Sequence, residues 1–288
     1  MILVVDSGSY KSDWMFTPEG APPITLRTKG LNPFFVPEKE IIKIIQHFTE
    51  ITPYIAQVSE IYFFGSGCTS PDRRELVSNA LSAIFKNAFV SVDTDLIGSA
   101  YATCGEDPGF IASIGTGSSL SYFDAKEVQP SKIGLGYVLG DIGSGTWFGK
   151  KLVTAYLYRS MPKDLREAFQ ADYNVDKETV IEQVYNQPTP NVYLASFAPF
   201  MSNHRHHPYI QQLLLTGFDK FLQTSILAYP SYKESTFHFV GSIAYYFDKA
   251  LRHVCENNQV SVGKIIRQPI QHLYKFVLER EHIINIEN

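Results

Sequence analysis

The chain has 288 residues, 44% of them apolar and 19% charged, and 25 Lys plus Arg against 29 Asp plus Glu leave a net charge of −4. This much hydrophobic material excludes a disordered chain, and the length suits one large or two ordinary domains of roughly 100–200 residues. The mild acidic balance argues against a nucleic-acid partner, which needs a concentrated basic face to neutralise phosphates.

The predicted elements begin with a buried-strand run, Ile2–Asp6, with no basic stretch ahead of it of the kind that opens a secretory leader. Trp14–Thr17 and Ile24–Thr28 read as two more strands, set apart by turn signals at Ser7–Ser9 and Pro18–Pro23. A helix is predicted from Pro37 to about Ile55, where Ile41, Ile44, Ile45 and Phe48 recur at helical spacing, with Pro37 in its first turn. Strand Ile61–Phe64, helix Pro71–Lys86, strand Phe89–Val92 and a helix from about Asp95 to Thr103 follow, giving the order βββαβαβα.

The second half starts in the same way. Phe110–Ile114 and Leu120–Phe123 are short strands around a Gly/Ser/Thr turn, with a third predicted near Val128–Ile133. Helices then dominate, at Ser144–Arg159, Lys163–Asp172, Lys177–Tyr185 and Tyr209–Ala228. The longest uncharged stretch, about Gln183–Asn203, holds Pro188, Pro190 and Pro199, which does not fit a membrane span. Strand Phe237–Val240, helix Ala244–Glu256, strand Val262–Ile266 and helix Pro269–Glu279 close the chain. Element order thus predicts a structural duplication with extra helices in the second copy. Cys68, Cys104 and Cys255 are widely spaced and form no disulfide framework, which fits a reducing cytoplasm.

Each half carries a small-residue turn between its first two strands, Asp6-Ser7-Gly8-Ser9-Tyr10-Lys11 and Gly115-Thr116-Gly117-Ser118-Ser119. Such turns let backbone amides approach an anion closely, and Ser and Thr hydroxyls add donors. Both could equally be plain hairpin turns. Neither is a Walker loop, and the second leads into a strand where a Rossmann fingerprint would lead into a helix. A third glycine-rich run, Gly134–Trp147, contains Asp141 and precedes a helix that Ser144 is suited to cap. Val240-Gly241-Ser242 suits close backbone approach to a base or ribose. Read alone, Asp95 could cap its helix, Lys11 could be a solvated strand residue, and Asn32-Pro33 could be a turn pair. The cluster His204-Arg205-His206-His207 reads as a polar loop, because Arg205 repels a cation among the ligands zinc would need.

Taken in order, these motifs resemble the N-acetylglucosamine kinase and BadF/BadG-type ATPase family of the acetate and sugar kinase/Hsp70/actin superfamily. Asp6–Trp14 is similar to the family's opening phosphate turn, Gly30–Pro33 to a sugar-contacting segment, and Asp95 with Gly98–Ala102 to the segment bearing the catalytic base. Ile114–Ser119 resembles the second phosphate turn, Gly134–Gly149 the family's most distinctive block, and Phe239–Ala244 the adenosine turn. Ser7 and Tyr10 stand where Gly and Thr are usual, Ser119 where Asn is, Leu135 where Trp is and Ile142 where Glu is. The resemblance implies an α/β fold of two ribonuclease H-like (actin-like ATPase) domains with an ATP cleft between them. The expected domains are 1–105 and 106–268, with a C-terminal helix at about 269–288 packing back on the first.

The resemblance further implies ATP and Mg²⁺ as cofactors and an amino sugar, N-acetylglucosamine, phosphorylated at its 6-hydroxyl. Asp95 would be the base, and Asn32, Thr116, Ser119, Gly134 and Asp141 would join it in holding the sugar. Phosphate and nucleotide contacts would come from Asp6, Gly8, Ser9, Lys11, Ser12, Gly115, Thr116, Gly117, Gly241 and Ser242, with Asp6 holding Mg²⁺ through water. No nucleic acid or membrane is expected as partner, and a homodimer is the candidate assembly. A regulatory ATPase and a non-catalytic sugar or nucleotide sensor are alternatives on the same fold.

Overall fold

A computed structural model describes residues 1–129 and 134–287, with side chains through Glu281. The chain divides into two compact units. One comprises Met1–Pro108, Phe123–Val128 and the C-terminal segment from Gln268; the other comprises Gly109–Tyr122 and Gln129–Arg267.

The first unit is built on a five-stranded sheet. Its strands are β1 (Ile2–Ser7), β2 (Lys11–Phe16), β3 (Ile24–Lys29), β4 (Glu60–Gly65) and β5 (Phe89–Thr94), in the order β3-β2-β1-β4-β5. β1 pairs antiparallel with β2 and parallel with β4, with Asp6 opposite Asp13 on one side and Phe64 on the other. Being central, β1 is covered on both faces, so Leu3, Val4 and Val5 are all fully buried and its apolar run does not alternate. Edge strand β3 does alternate between half-buried and exposed residues. Parallel neighbours require crossovers, and helices Glu38–Gln46 and Pro71–Ile84 supply them.

The helix predicted to reach Ile55 stops at Gln46, and Pro37 is its cap. Phe48 and Ile51 turn into the core, and the chain resumes as a 3₁₀ helix, Thr52–Gln57. Pro53 sits in the first turn of this second helix, where its missing amide costs nothing. A long helix, Ile270–Glu287, closes the unit against β1, β2 and helix Asp95–Thr103. Tyr274 Oη donates to Thr17 Oγ1 at 2.9 Å, and the Phe276 ring stacks on Tyr101 at 4.7 Å.

The second unit repeats the topology. Strands β6 (Gly109–Ile114), β7 (Ser118–Phe123), β8 (Val128–Gln129), β9 (Thr236–Val240) and β10 (Ser261–Ile266) lie in the order β10-β9-β6-β7-β8. Substituting β6 to β10 for β1 to β5 reproduces the first sheet, so the duplication predicted from element order is present. The third strand predicted near Val128–Ile133 is described only as β8; residues 130–133 lie outside the described residues.

Between β8 and β9 stand seven α-helices among the described residues, including Gly145–Leu157 and Pro208–Phe221. Two short ones, Pro190–Ala195 and Pro199–Asn203, fall in the stretch read as proline-broken. Each proline sits in a first turn, where its missing amide costs nothing. The helix predicted over Ala244–Glu256 is two, Ser242–Tyr246 and Asp248–Asn257, parted at Phe247. Aromatic rings fill this core, with Phe169 touching Tyr156, Tyr173, Phe197 and Phe200. Among the described residues no helix is long and apolar enough to cross a membrane.

Candidate functional site

In the first unit the turn between β1 and β2 is tied down by side chains. The Gly8 amide closes the turn on the Lys11 carbonyl at 2.9 Å. Ser7 is fully buried; its Oγ lies 2.7 Å from Ser12 Oγ and accepts from the Leu31 amide at 3.1 Å. The Ser at position 7 therefore joins three chain segments where the family's Gly could not. Ser12 is also fully buried, with its hydroxyl engaged between Ser7 Oγ and the Lys29 carbonyl. Ser9 is the exposed hydroxyl of the turn, and Asn32 Nδ2 donates to it at 2.8 Å. The amides of Ser9 and Tyr10 have no partner among the described residues, leaving two donors at the turn's crest.

Lys11 is not merely solvated. It lies 3.0 Å from Asp13, whose other oxygen takes Arg27 Nε at 2.6 Å, so two cations balance one buried carboxylate. Asp6 ends β1 beside this group. Burial pushes its carboxyl up to about 7, with the Asp95 and Asp13 carboxylates adding to the rise and Lys11 opposing it. A divalent cation held beside Asp6 through water would relieve the repulsion between Asp6 and Asp95.

Asp95 begins the helix after β5, yet it does not cap it: Thr94 Oγ1 accepts from the Ile97 amide at 3.3 Å. The Asp95 carboxylate is thereby released, and its Oδ2 accepts from Ser66 Oγ. Burial raises its pKa, while the Ser66 hydroxyl and nearby backbone amides favour the ionised form. Asn32 is buried, with Oδ1 accepting from the Phe34 amide at 2.9 Å. Gly67, at φ +85°, abuts that amide so closely that a Cβ would lie 2.1 Å from Oδ1. Asp6, Ser9, Asn32 and Asp95 thus belong to one neighbourhood of the first unit, joined through Ser66 and Gly67.

In the second unit the corresponding turn is braced by backbone. The Gly115 amide donates to the Gly117 carbonyl at 3.0 Å, and the Gly115 and Thr116 carbonyls accept from the Gly145 and Thr146 amides at 2.8 and 3.1 Å. Thr146 Oγ1 adds a bond to the Thr116 carbonyl at 2.7 Å. Asp141 Oδ1 accepts from the Ser118 amide at 3.1 Å, and Ser118 Oγ donates to the Ile142 carbonyl at 2.8 Å. The glycine-rich run before helix Gly145–Leu157 therefore holds the turn, and Ser144 caps that helix by accepting from the Trp147 amide at 3.2 Å. Free amides remain at Thr116 and Gly117 among the described residues.

Two openings flank this turn. Thr116, Ser119, Gly134 and Asp141 line a shallow depression of about 380 Å³. Thr116, Ser242, Ser202 and Asn203 line a deeper pocket of about 390 Å³ with apolar walls from Ile243, Tyr246 and Phe247. Gly241 permits this arrangement: at φ +127° it passes the end of β6 so closely that a Cβ would sit 2.4 Å from the Ile114 carbonyl oxygen.

Sequence reading singled out neither Ser66 and Gly67 nor Ser202 and Asn203. The first pair lies in Gly65-Ser66-Gly67 at the end of a strand, a turn signal that could have found them; the second sits on a five-residue helix with no distinguishing pattern. The histidine cluster is accounted for locally. His204 packs on Phe200 at 4.2 Å, Arg205 Nε approaches His206 Nε2 at 3.3 Å, and His207 caps a helix through Nδ1 while its Nε2 lies 3.2 Å from Asp164. Among the described residues no three His, Cys, Asp or Glu are grouped to hold a metal ion.

No protein-family model matches the chain, and neither does any curated protein. A solved structure from Porphyromonas gingivalis, named as a candidate N-acetylglucosamine kinase, is 33% identical with a TM-score of 0.87, covering 96% of this chain and 98% of that one. A second candidate N-acetylglucosamine kinase, from Chromobacterium violaceum, is 17% identical at TM-score 0.65, covering 96% and 98%. A ROK family glucokinase from Streptomyces griseus, solved with glucose and AMPPNP, is 11% identical at TM-score 0.52, covering 93% and 94%. The last two share the fold. Near full-length likeness at one-third identity, on paired sheets of the same topology, makes this chain a member of the N-acetylglucosamine kinase family of the acetate and sugar kinase/Hsp70/actin superfamily.

Proposed function

We propose that the protein transfers the γ-phosphoryl group of ATP to the 6-hydroxyl of N-acetylglucosamine or a closely related amino sugar. The observation that carries this reading is the carboxylate pair of the first unit: Asp95, half-buried and hydrogen-bonded by Ser66, within electrostatic reach of Asp6. The near full-length relative named as a candidate N-acetylglucosamine kinase supports the choice of acceptor.

Phosphoryl transfer asks the protein mainly for positioning and for charge neutralisation. Asp95 accepts the proton of the acceptor hydroxyl as its oxygen bonds to the γ-phosphorus, while the bond to the β–γ bridging oxygen breaks and ADP leaves with that electron pair. Asn32 orients the sugar, and Ser119, Gly134 and Asp141 are further candidate sugar contacts. The Ser9 and Tyr10 amides and those of Thr116 and Gly117 donate to phosphate oxygens. The Thr116–Ser242–Asn203 pocket takes the nucleoside. Asp6 would hold Mg²⁺ through water; when bound, the ion neutralises charge on the phosphates. The Ser at position 7 does not weaken this reading, since it is buried behind the turn and leaves the crest amides free.

The test is ADP release from ATP and Mg²⁺ against N-acetylglucosamine, N-acetylmannosamine, N-acetylmuramic acid, glucosamine and glucose, with the product's phosphate position read by NMR. Turnover fastest on N-acetylglucosamine, with phosphate on C6, is the expected result. Sugar binding by calorimetry without ADP release from any of the five would replace the kinase with a sensor.

A further inference from the structure

Gly65-Ser66-Gly67, the turn that ends β4, touches Ser7, Asp95 and Asn32 in the first unit. The Ser66 amide donates to the Ser7 carbonyl at 2.8 Å, which pins the turn to the end of β1. The Ser66 hydroxyl donates to Asp95 Oδ2. The following residue, Gly67, lies against Asn32 Oδ1 and the Phe34 ring, and Asn32 in turn donates to Ser9 Oγ at 2.8 Å. Two consecutive residues therefore contact the base on one side and the sugar-orienting amide on the other.

A carboxylate has a broad torsional preference about its last bond, so an Asp without a fixed partner samples many orientations. A hydroxyl donated to one oxygen sets the carboxylate plane and leaves the second oxygen for the acceptor's proton. Thr94 takes the Ile97 amide, so the Asp95 carboxylate keeps only Ser66 and the first-turn amides of Asp95 and Leu96 as partners among the described residues. From these contacts we infer that Ser66 is a positioning residue of the phosphoryl transfer: its hydroxyl sets the orientation of Asp95, and its turn fixes the spacing between Asp95 and Asn32. The inference rests on Asp95 being the base.

Steady-state ADP release by Ser66→Ala, Ser66→Thr and Asp95→Asn, with the best acceptor of the panel, tests it. Ser66→Ala is expected to lose about tenfold or more in kcat, with the KM for ATP within twofold of the parent. Ser66→Thr, which keeps the hydroxyl, is expected to recover most of that loss, and Asp95→Asn to be inactive. Ser66→Ala turning over within twofold of the parent, beside an inactive Asp95→Asn, would overturn the role of Ser66 and leave the base in place. Ser66→Thr as slow as Ser66→Ala, with a parental melting temperature, would reduce Ser66 to packing and overturn the inference as well. An active Asp95→Asn would instead remove the base reading on which it rests. Should Ser66→Ala melt early, Ser66→Cys, similar in size and a weak donor, carries the same comparison.

Discussion

The two glycine turns occupy equivalent places in equivalent sheets, yet they are held by different means. Around Gly8 the fixing groups are side chains, with Ser7, Ser12 and Asn32 bonded behind the turn. Around Gly117 they are mostly main chain, lent by the residues that lead into helix Gly145–Leu157. Charge follows the same division. Asp6, Asp13 and Asp95 crowd the first unit, whereas the second presents amides and apolar walls with Asp141 already bonded to an amide. On the proposed function, the duplicated topology serves two uses: one copy would handle protons and cations, the other would receive a nucleoside.

That division can be broken at graded cost. Asp95→Ala should abolish the first unit's contribution while sparing the second: kcat for phosphoryl transfer falls by about 10³-fold or more, and ATP still binds by calorimetry with near-parental affinity. Gly241→Ala strikes the other side. Its backbone lies where side chains are strained and its Cβ meets a carbonyl, so unfolding free energy should drop by about 2 kcal/mol or more, with weakened ATP binding and unchanged affinity for sugar. Thr146→Val removes the hydroxyl that sits 2.7 Å from the Thr116 carbonyl and 3.0 Å from that of Asn191. Denaturant unfolding should show a loss of about 1–2 kcal/mol, accompanied by a higher KM for ATP.

The smallest effect concerns pH. The folded pKa of Asp6, about 7, lies above its ordinary value of 3.8, so the native state holds a proton that the unfolded chain has lost across that interval. Stability of the ligand-free protein should therefore decline as pH rises from about 4 to 7 and level off above. Asp6→Asn should flatten that decline. A slope unchanged in the variant would mean that Asp6 is not the group responsible.

The strands were readable because apolar runs between Gly, Pro and Asp turns leave little choice: Ile2–Asp6 and Phe110–Ile114 lie within a residue of the observed β1 and β6. Asp95 and the two turns were legible as motifs, and their order along the chain matched the family to which the chain belongs. Ser12 was singled out for its hydroxyl alone, because a sequence does not show which face of a strand its alternation assigns to the core. Ser66 escaped for the opposite reason. Its use depends on a partner 29 residues away, and only the parallel pairing of β4 with β5 brings Asp95 beside it. The helix past Gln46 was over-extended because Phe48 and Ile51, at helix-like spacing, are buried by a turn instead.

Helix Ile270–Glu287 seals the sheet that Ile2–Ser7 began. During synthesis β1 and β2 must therefore wait for the helix bearing Tyr274, which bonds Thr17 from 257 residues further along the chain. Cooperative completion of the acid-bearing half is thus a late event. Trimming the chain at Arg267 should yield an aggregation-prone product even though every residue proposed for chemistry is retained.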